Sequence, residues 1–268
     1  CLTGHPNRCV NRASTQRPQS SKPRISSGGK PVFQFLDISG YAEKVLVHEN
    51  ALVKIDDEMP LDRAALIGCG VTTGVGAVLN TAKVEPGSTV AVFGAGGVGL
   101  AAIQGARIAG ARMIIAVDMH ESKLALARRL GATHTVDASQ GEPVEAIRKI
   151  TGHGVNYSFE AIGLKAVAEQ AFKSLTQGGV ATIIGMIPLG QKIEVDGFSL
   201  FWGERRLQGS NMGSNRFRVD MPRYIDLYMQ GRLDLDSMIS KRARLEDINE
   251  AFRAMKAGEV ARTVVMFD

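Results

Sequence analysis

The feature that most constrains this chain is Gly94-Ala95-Gly96-Gly97-Val98-Gly99, set between an apolar run, Thr89 to Phe93, and an amphipathic stretch, Val98 to Ala109. G-x-G-x-x-G alone is a common pattern, but between a strand and a helix it is a dinucleotide fingerprint. The first glycine permits the tight turn, the second lets backbone approach a pyrophosphate, and the third lets helix and strand pack closely. The free N–H groups and dipole of the helix N-terminus then favour phosphate. The next strand, Met113 to Val117, delivers Asp118 about 20 residues on, where a carboxylate accepts hydrogen bonds from a ribose diol. Met119 and His120 follow it, with no arginine to meet a 2′-phosphate, so the pattern favours NAD over NADP.

Around this motif, strands and helices alternate. Apolar strands are predicted at Thr89 to Phe93, Met113 to Val117, Val155 to Phe159 and Gly179 to Ile184, with helices at Val98 to Ala109, Glu121 to Leu130, Val144 to Ile150 and Leu164 to Leu175. Repeated βα units with apolar strands imply an α/β fold with a doubly wound parallel sheet. Ahead of it, Arg63 to Leu79 reads as helix, and Tyr41 to Val47 and Ala51 to Ile55 as short strands of a mainly β portion. Cys1 to Lys30 has no periodicity and reads as loop. Behind it, Pro222 to Met229 and Leu245 to Lys256 read as helices, and Thr263 to Phe267 as a closing strand returning to the front β portion. The expected division is residues 1–70, 71–206 and 207–268.

Composition narrows the class. The chain is 44% hydrophobic and 22% charged, in keeping with a soluble α/β enzyme. Its net charge of +5 is spread among acids, and the basic stretch Arg8 to Arg24 mixes Ser, Gln and Pro, so no nucleic-acid partner is expected. The uncharged run Gly87 to Ala106 is punctuated by glycines and reads as strand, turn and helix, so no membrane partner is expected. Three cysteines are too few for a disulfide framework, which points to a reduced, cytoplasmic location.

Cys1-Leu-Thr-Gly-His-Pro-Asn-Arg-Cys9 places two thiols around a polar loop, and Cys69 sits in Ile67-Gly68-Cys69-Gly70-Val71-Thr72-Thr73-Gly74. Two ligands cannot close a tetrahedral zinc site, and a lone cysteine is more often a buried hydrophobe. Together with Ser39-Gly40-Tyr41-Ala42-Glu43, Phe159-Glu160-Ala161-Ile162-Gly163 and Ala261-Arg262-Thr263, however, these segments resemble the zinc-containing medium-chain alcohol dehydrogenases along the whole chain.

That resemblance implies a Rossmann cofactor domain with a partial, GroES-like catalytic domain, and hydride exchange between NAD and an alcohol or aldehyde. Cys1 and Cys9 correspond to the third and fourth cysteines of the family's C-x2-C-x2-C-x7-C structural zinc loop, and Cys69 to a catalytic-zinc ligand. Thr73, the catalytic candidate, and Val98 would face the nicotinamide. Asp118 and Lys123 would meet the adenosine ribose, Arg262 the pyrophosphate, and backbone of Ile184, Gly185 and Met186 the carboxamide. His5, His48, His120, His134 and His153 follow no ligand spacing. Because the family's remaining zinc ligands and proton relay would lie upstream of Cys1, the chain reads as an N-terminally shortened member, able to bind NAD but turning over little alcohol. The resemblance also implies a homodimer or homotetramer. Two alternatives are a zinc-free quinone or enoyl reductase of the same superfamily, marked by NADPH preference, and a non-catalytic dinucleotide-binding protein.

Overall fold

The computed structural model describes residues 4–11, 17–18, 20–34 and 38–267. A six-stranded sheet forms its centre: β3 (Thr89–Phe93), β4 (Met113–Asp118), β5 (His134–Asp137), β6 (Val155–Glu160), β7 (Leu175–Ile183) and β8 (Arg206–Gly209). Every pairing is parallel and the spatial order is β5-β4-β3-β6-β7-β8. The order therefore reverses between β3 and β6, and this switch point opens the crevice in which doubly wound sheets bind their ligands.

The strands are apolar because both faces are covered. Along β3, Val90 and Val92 enter one core, shared with α2 (Gly97–Ile108), while Ala91 and Phe93 enter another, shared with Ile147 of α4 (Pro143–Thr151) and Phe172 of α5 (Lys165–Lys173). Successive side chains of a strand point to opposite faces, so one short segment anchors both layers. The helix α3 (Glu121–Arg129) covers β4 and β5.

One helix, α1 (Leu61–Ala82), precedes the sheet. By length and apolarity it could cross a membrane, but its apolar side is buried against α2 and the rest of the core. The two helices cross closely because glycines stand at the contact. A Cβ on Gly74 would lie 2.3 Å from the Val98 carbonyl oxygen, and one on Gly105 3.2 Å from the Val75 Cα. Two stretches of α1, Ile67–Val71 and Ala77–Ala82, are wound as wider π turns. It runs on through residue 70 without a break.

Most predicted elements are present within a few residues, and Gly87 to Ala106 is strand, turn and helix as expected. The front portion differs. No strand forms at Tyr41 to Val47 or Ala51 to Ile55; the strands there are β1 (Ile25–Ser27) and β2 (Lys30–Val32), an exposed hairpin. Val45, Leu46 and Leu52 are exposed, and among the described residues no neighbouring strand offers the backbone partners that an extended segment needs.

The tail differs too. It comprises α7 (Phe217–Met229), β9 (Lys241–Ala243), α8 (Ile248–Lys256) and β10 (Thr263–Val265). The closing strand does not return to the front portion but pairs with β9, whose Lys-Arg-Ala sequence gave no apolar signal. Charge fastens this unit to α1. Both Arg63 and Arg242 hydrogen-bond the buried Asp62 carboxylate, Arg242 at 2.7 Å, and Arg63 also reaches Asp236. The Arg63 hydrogen bond, followed by Arg242, holds the Asp62 pKa below the usual carboxylate range despite its burial.

A depressed folded-state pKa contributes stability that is complete above the unfolded value, about 4, and is lost as pH falls through the lower folded value. Urea midpoints should therefore separate unmodified protein from Asp62→Asn at pH 6 and converge toward pH 3. An equal gap at both pH values would contradict the ion-pair account.

Candidate functional site

The glycine turn leaves the carboxyl end of β3 beside the switch point. Gly94 has φ of 95°, a left-handed conformation suited to glycine, and its amide donates to the Val117 carbonyl at 2.8 Å. Gly99 has no room for a side chain: a Cβ there would lie 1.7 Å from the Gly94 carbonyl oxygen. Gly96, capping α2, is the opposite case. Its φ is −78° and a Cβ would meet nothing within 4 Å. The protein itself thus makes no demand for glycine at 96, and the space it keeps clear lies over a helix N-terminus.

Asp118 supports the turn from β4. Its Oδ2 accepts from the Ala95 amide at 2.8 Å, and its Oδ1 from the Met119 and His120 amides at 2.8 and 3.1 Å. A carboxylate has about four acceptor positions, so roughly one remains for a further donor. At the start of α3, Lys123 and His120 face the turn at Gly258, where a Cβ would lie 3.5 Å from Lys123 Nζ and 3.3 Å from His120 Nε2.

Arg262 reaches the site from the far end of the sequence. Its guanidinium lies between two glycines: a Cβ on Gly70 would lie 2.5 Å from one of its nitrogens, and a Cβ on Gly97 2.0 Å from its Nε. Among the described residues no carboxylate pairs with it. A half-buried cation set on a helix N-terminus, where the dipole is also positive, gains no stability from that dipole.

Across the switch point, the loops after β6 and β7 are stacked. The buried Glu160 receives the amides of Ile162 and Gly163 at Oε1, at 2.9 and 2.6 Å, and its carbonyl accepts from the Ile184 and Gly185 amides. Its Oε2 is buried with no hydrogen-bond partner. A Cβ on Gly185 would lie 2.1 Å from the Gly163 nitrogen, so Ile184 to Met186 is pressed onto the preceding loop, with the Met186 side chain exposed. Val98, half-buried, begins α2 alongside. The hydroxyl of Thr73, 9% exposed, donates to the Met212 sulfur at 3.7 Å.

Met212 belongs to a turn that sequence reasoning missed. Met212, Gly213 and Ser214 have φ of 50°, 62° and 50°, and the two non-glycine residues in this left-handed region cost about 1–3 kcal/mol each. The small, polar run Gly209-Ser-Asn-Met-Gly-Ser-Asn215 is a turn composition, and that signal could have marked it.

Cys69 lies exposed in the first π stretch of α1, Cys9 is half-buried, both are free thiols, and Cys1 lies outside the described residues. Cys9 and Gly68 line one cavity of about 910 Å³ with Asn50, Met212 and Arg216. Among the described residues no three His, Cys, Asp or Glu side chains converge to hold a metal. The described residues thus form a Rossmann-type fold of the kind that binds dinucleotides, and among them no zinc site is completed.

Residues 97–229 match the family model described as zinc-binding dehydrogenase. The whole chain aligns at 38% identity with the S-(hydroxymethyl)glutathione dehydrogenase of Paracoccus denitrificans, covering 74% of that protein. This chain belongs to the zinc-type medium-chain alcohol dehydrogenase superfamily. It is also 39% identical to the class-3 alcohol dehydrogenase of Myxine glutinosa, over 99% of this chain and 72% of the relative. A solved alcohol dehydrogenase zinc-binding domain protein from Burkholderia ambifaria superposes with a TM-score of 0.93 at 36% identity, covering 100% of this chain and 74% of its own. The chain thus spans about three quarters of the length of these superfamily relatives.

The two glycines separate fold from ligand. Gly99→Ala should destabilise by about 1–3 kcal/mol or more through overpacking, whereas Gly96→Ala should leave the thermal midpoint nearly unchanged and weaken NADH binding. Thermal melts and NADH titration of both variants check this; a Gly96→Ala protein that binds NADH normally would contradict the reading of the open space.

Proposed function

We propose that this chain is the cofactor-binding part of an NAD-dependent alcohol or aldehyde oxidoreductase. The observation that carries the proposal is the space kept open at Gly96, flanked on one side by the Arg262 guanidinium, which no carboxylate among the described residues pairs, and on the other by Asp118. In this reading the pyrophosphate lies over Gly96 and Gly97, held by amides of the α2 N-terminus and countered by Arg262. Asp118 accepts from the adenosine ribose with Lys123 beside it, and the nicotinamide half extends across the switch point toward Thr73, Val98 and Ile184 to Met186. Bound NAD supplies the hydride acceptor; the chain's own residues bind, orient and exclude water from it. The substrate class follows the names of the superfamily relatives and extends no further than an alcohol or aldehyde.

Zinc stands differently. Cys69 occupies the position that the superfamily resemblance gives a metal ligand, but a closed site needs further ligands beyond the described ones. Self-association is favoured by the free edge of β8 and the neighbouring helix α6 (Gly197–Trp202), where Phe198, Phe201 and Trp202 are exposed and Phe198 stacks on Trp202 at 5.9 Å. A second copy of the chain is the partner proposed for that face, and a reducing, cytoplasmic setting suits the two free thiols.

Fluorescence titration with NADH and NADPH tests the cofactor assignment. NADH should bind more tightly than NADPH, and Asp118→Ala should weaken NADH by about tenfold or more, since it removes the ribose acceptor and loosens the Ala95 turn. Preference for NADPH would favour the zinc-free reductase reading, and binding of neither nucleotide would refute the proposal. Separately, elemental analysis after incubation with zinc and dialysis should find well below one equivalent per chain; a retained full equivalent would show that the ligand set is completed.

A further inference from the structure

The left-handed turn after β8 lies at the carboxyl end of the parallel sheet, with Met212 lining the cavity of about 910 Å³ beside Gly68, and three successive residues do not hold such a conformation by their own preference. What holds it is Asn215, which is fully buried. Its amide nitrogen donates to the carbonyls of Thr72 at 2.7 Å and Met212 at 2.6 Å, and its Oδ1 accepts from the Tyr224 hydroxyl at 2.6 Å and the Asn80 amide at 3.2 Å. Two donated and two accepted bonds are the full capacity of an asparagine side chain, so its orientation is dictated by its partners. Those partners lie on α1, on the turn itself and on α7.

The helix facing the turn is hollowed to receive it. A Cβ on Gly76 would lie 2.3 Å from Asn215 Nδ2 and 2.6 Å from the Gly213 carbonyl oxygen. Thr81 adds hydroxyl bonds to Ser210 and Ser214, both at 2.8 Å. The Thr72 carbonyl that Asn215 grips is next to Thr73, whose hydroxyl touches Met212. One side chain therefore joins Thr73 and Met212, the two residues that on the NAD reading wall the nicotinamide end of the crevice. With the adenosine ribose at Asp118 on β4, the other half of a dinucleotide lies over the ends of β6, β7 and β8.

We propose that Asn215 is a positioning residue for the nicotinamide: it locks the Met212–Ser214 turn onto α1 and so fixes the Met212–Thr73 wall against which the ring rests. The assignment rests on the NAD reading above. It requires an amide, because a carboxylate would set an oxygen against two carbonyl oxygens.

The test compares NADH with ADP-ribose, which carries the same adenosine and pyrophosphate but no nicotinamide, on the full chain and on Asn215→Asp and Tyr224→Phe. Asn215→Asp should weaken NADH about tenfold and ADP-ribose less than about twofold. Tyr224→Phe, which deletes one hydroxyl, should shift the same ratio in the same direction by about threefold, and it decides the matter if the aspartate variant does not fold. Equal losses for both ligands would reduce Asn215 to a general structural role and overturn the assignment, as would unchanged NADH binding. If the unmodified chain binds ADP-ribose as tightly as NADH, the assignment falls while the dinucleotide reading stands. If it binds neither, the dinucleotide reading falls and takes the assignment with it.

Discussion

The approach of α2 to the carbonyl of Gly94 is the contact on which the remainder depends. With hydrogen in place of a side chain at Gly99, the helix starts directly above the strand that precedes it, and its first amides point into the crevice rather than over the sheet. The same helix is gripped from above by α1 through Gly74 and Gly105. Between these contacts α2 has little freedom to slide, which fixes Val98, the Gly96 opening and the Arg262 slot relative to one another. Interiors packed at this density resist gradual adjustment, so the site is set by steric exclusion more than by attraction.

The central sheet was legible because its strands are buried on both sides and therefore written in continuous apolar residues. Beyond the exposed front hairpin, the strands that escaped notice were those for which this reason lapses. His134–Asp137 and Arg206–Gly209 are edge strands, and Lys241–Ala243 is a largely exposed partner for β10. Polar residues at edges serve to discourage pairing with other chains, and that use masks them from a search for apolar runs. In the front portion the error ran the other way: Tyr41 to Val47 has strand-like residues, but β propensity expresses packing against neighbours more than a backbone preference.

The site divides along a similar line. The glycine turn and Asp118 stand out in the sequence because they follow a local motif, and Arg262 was suggested only by the family resemblance, whereas its slot between Gly70 and Gly97, like the meeting of Met212, Asn215, Asn80 and Tyr224, arises only through the fold. Tyr224 illustrates the point. Its burial, followed by the charge of Asp220, pushes the phenol well above its usual pKa, yet its sequence neighbours show only an ordinary helical pattern. Nor could the sequence foretell that Asn7 and Asn211 would exchange side-chain hydrogen bonds, tying the front segment to the turn after β8.

The position of Arg262 has a bearing on how such a chain matures. The glycine turn, its helix and Asp118 all lie in the middle of the sequence, and the sheet around them can assemble as soon as β8 has been made. The guanidinium that lodges between Gly70 and Gly97 comes from the residue just before β10, more than 160 positions after the glycine turn. Stabilisation by a ligand grows with affinity for the folded form. Any ligand that Arg262 helps to hold would therefore stabilise only molecules in which this late segment has docked on Gly70 and Gly97, so that binding energy gained in the middle of the sequence is linked to the seating of a distant one.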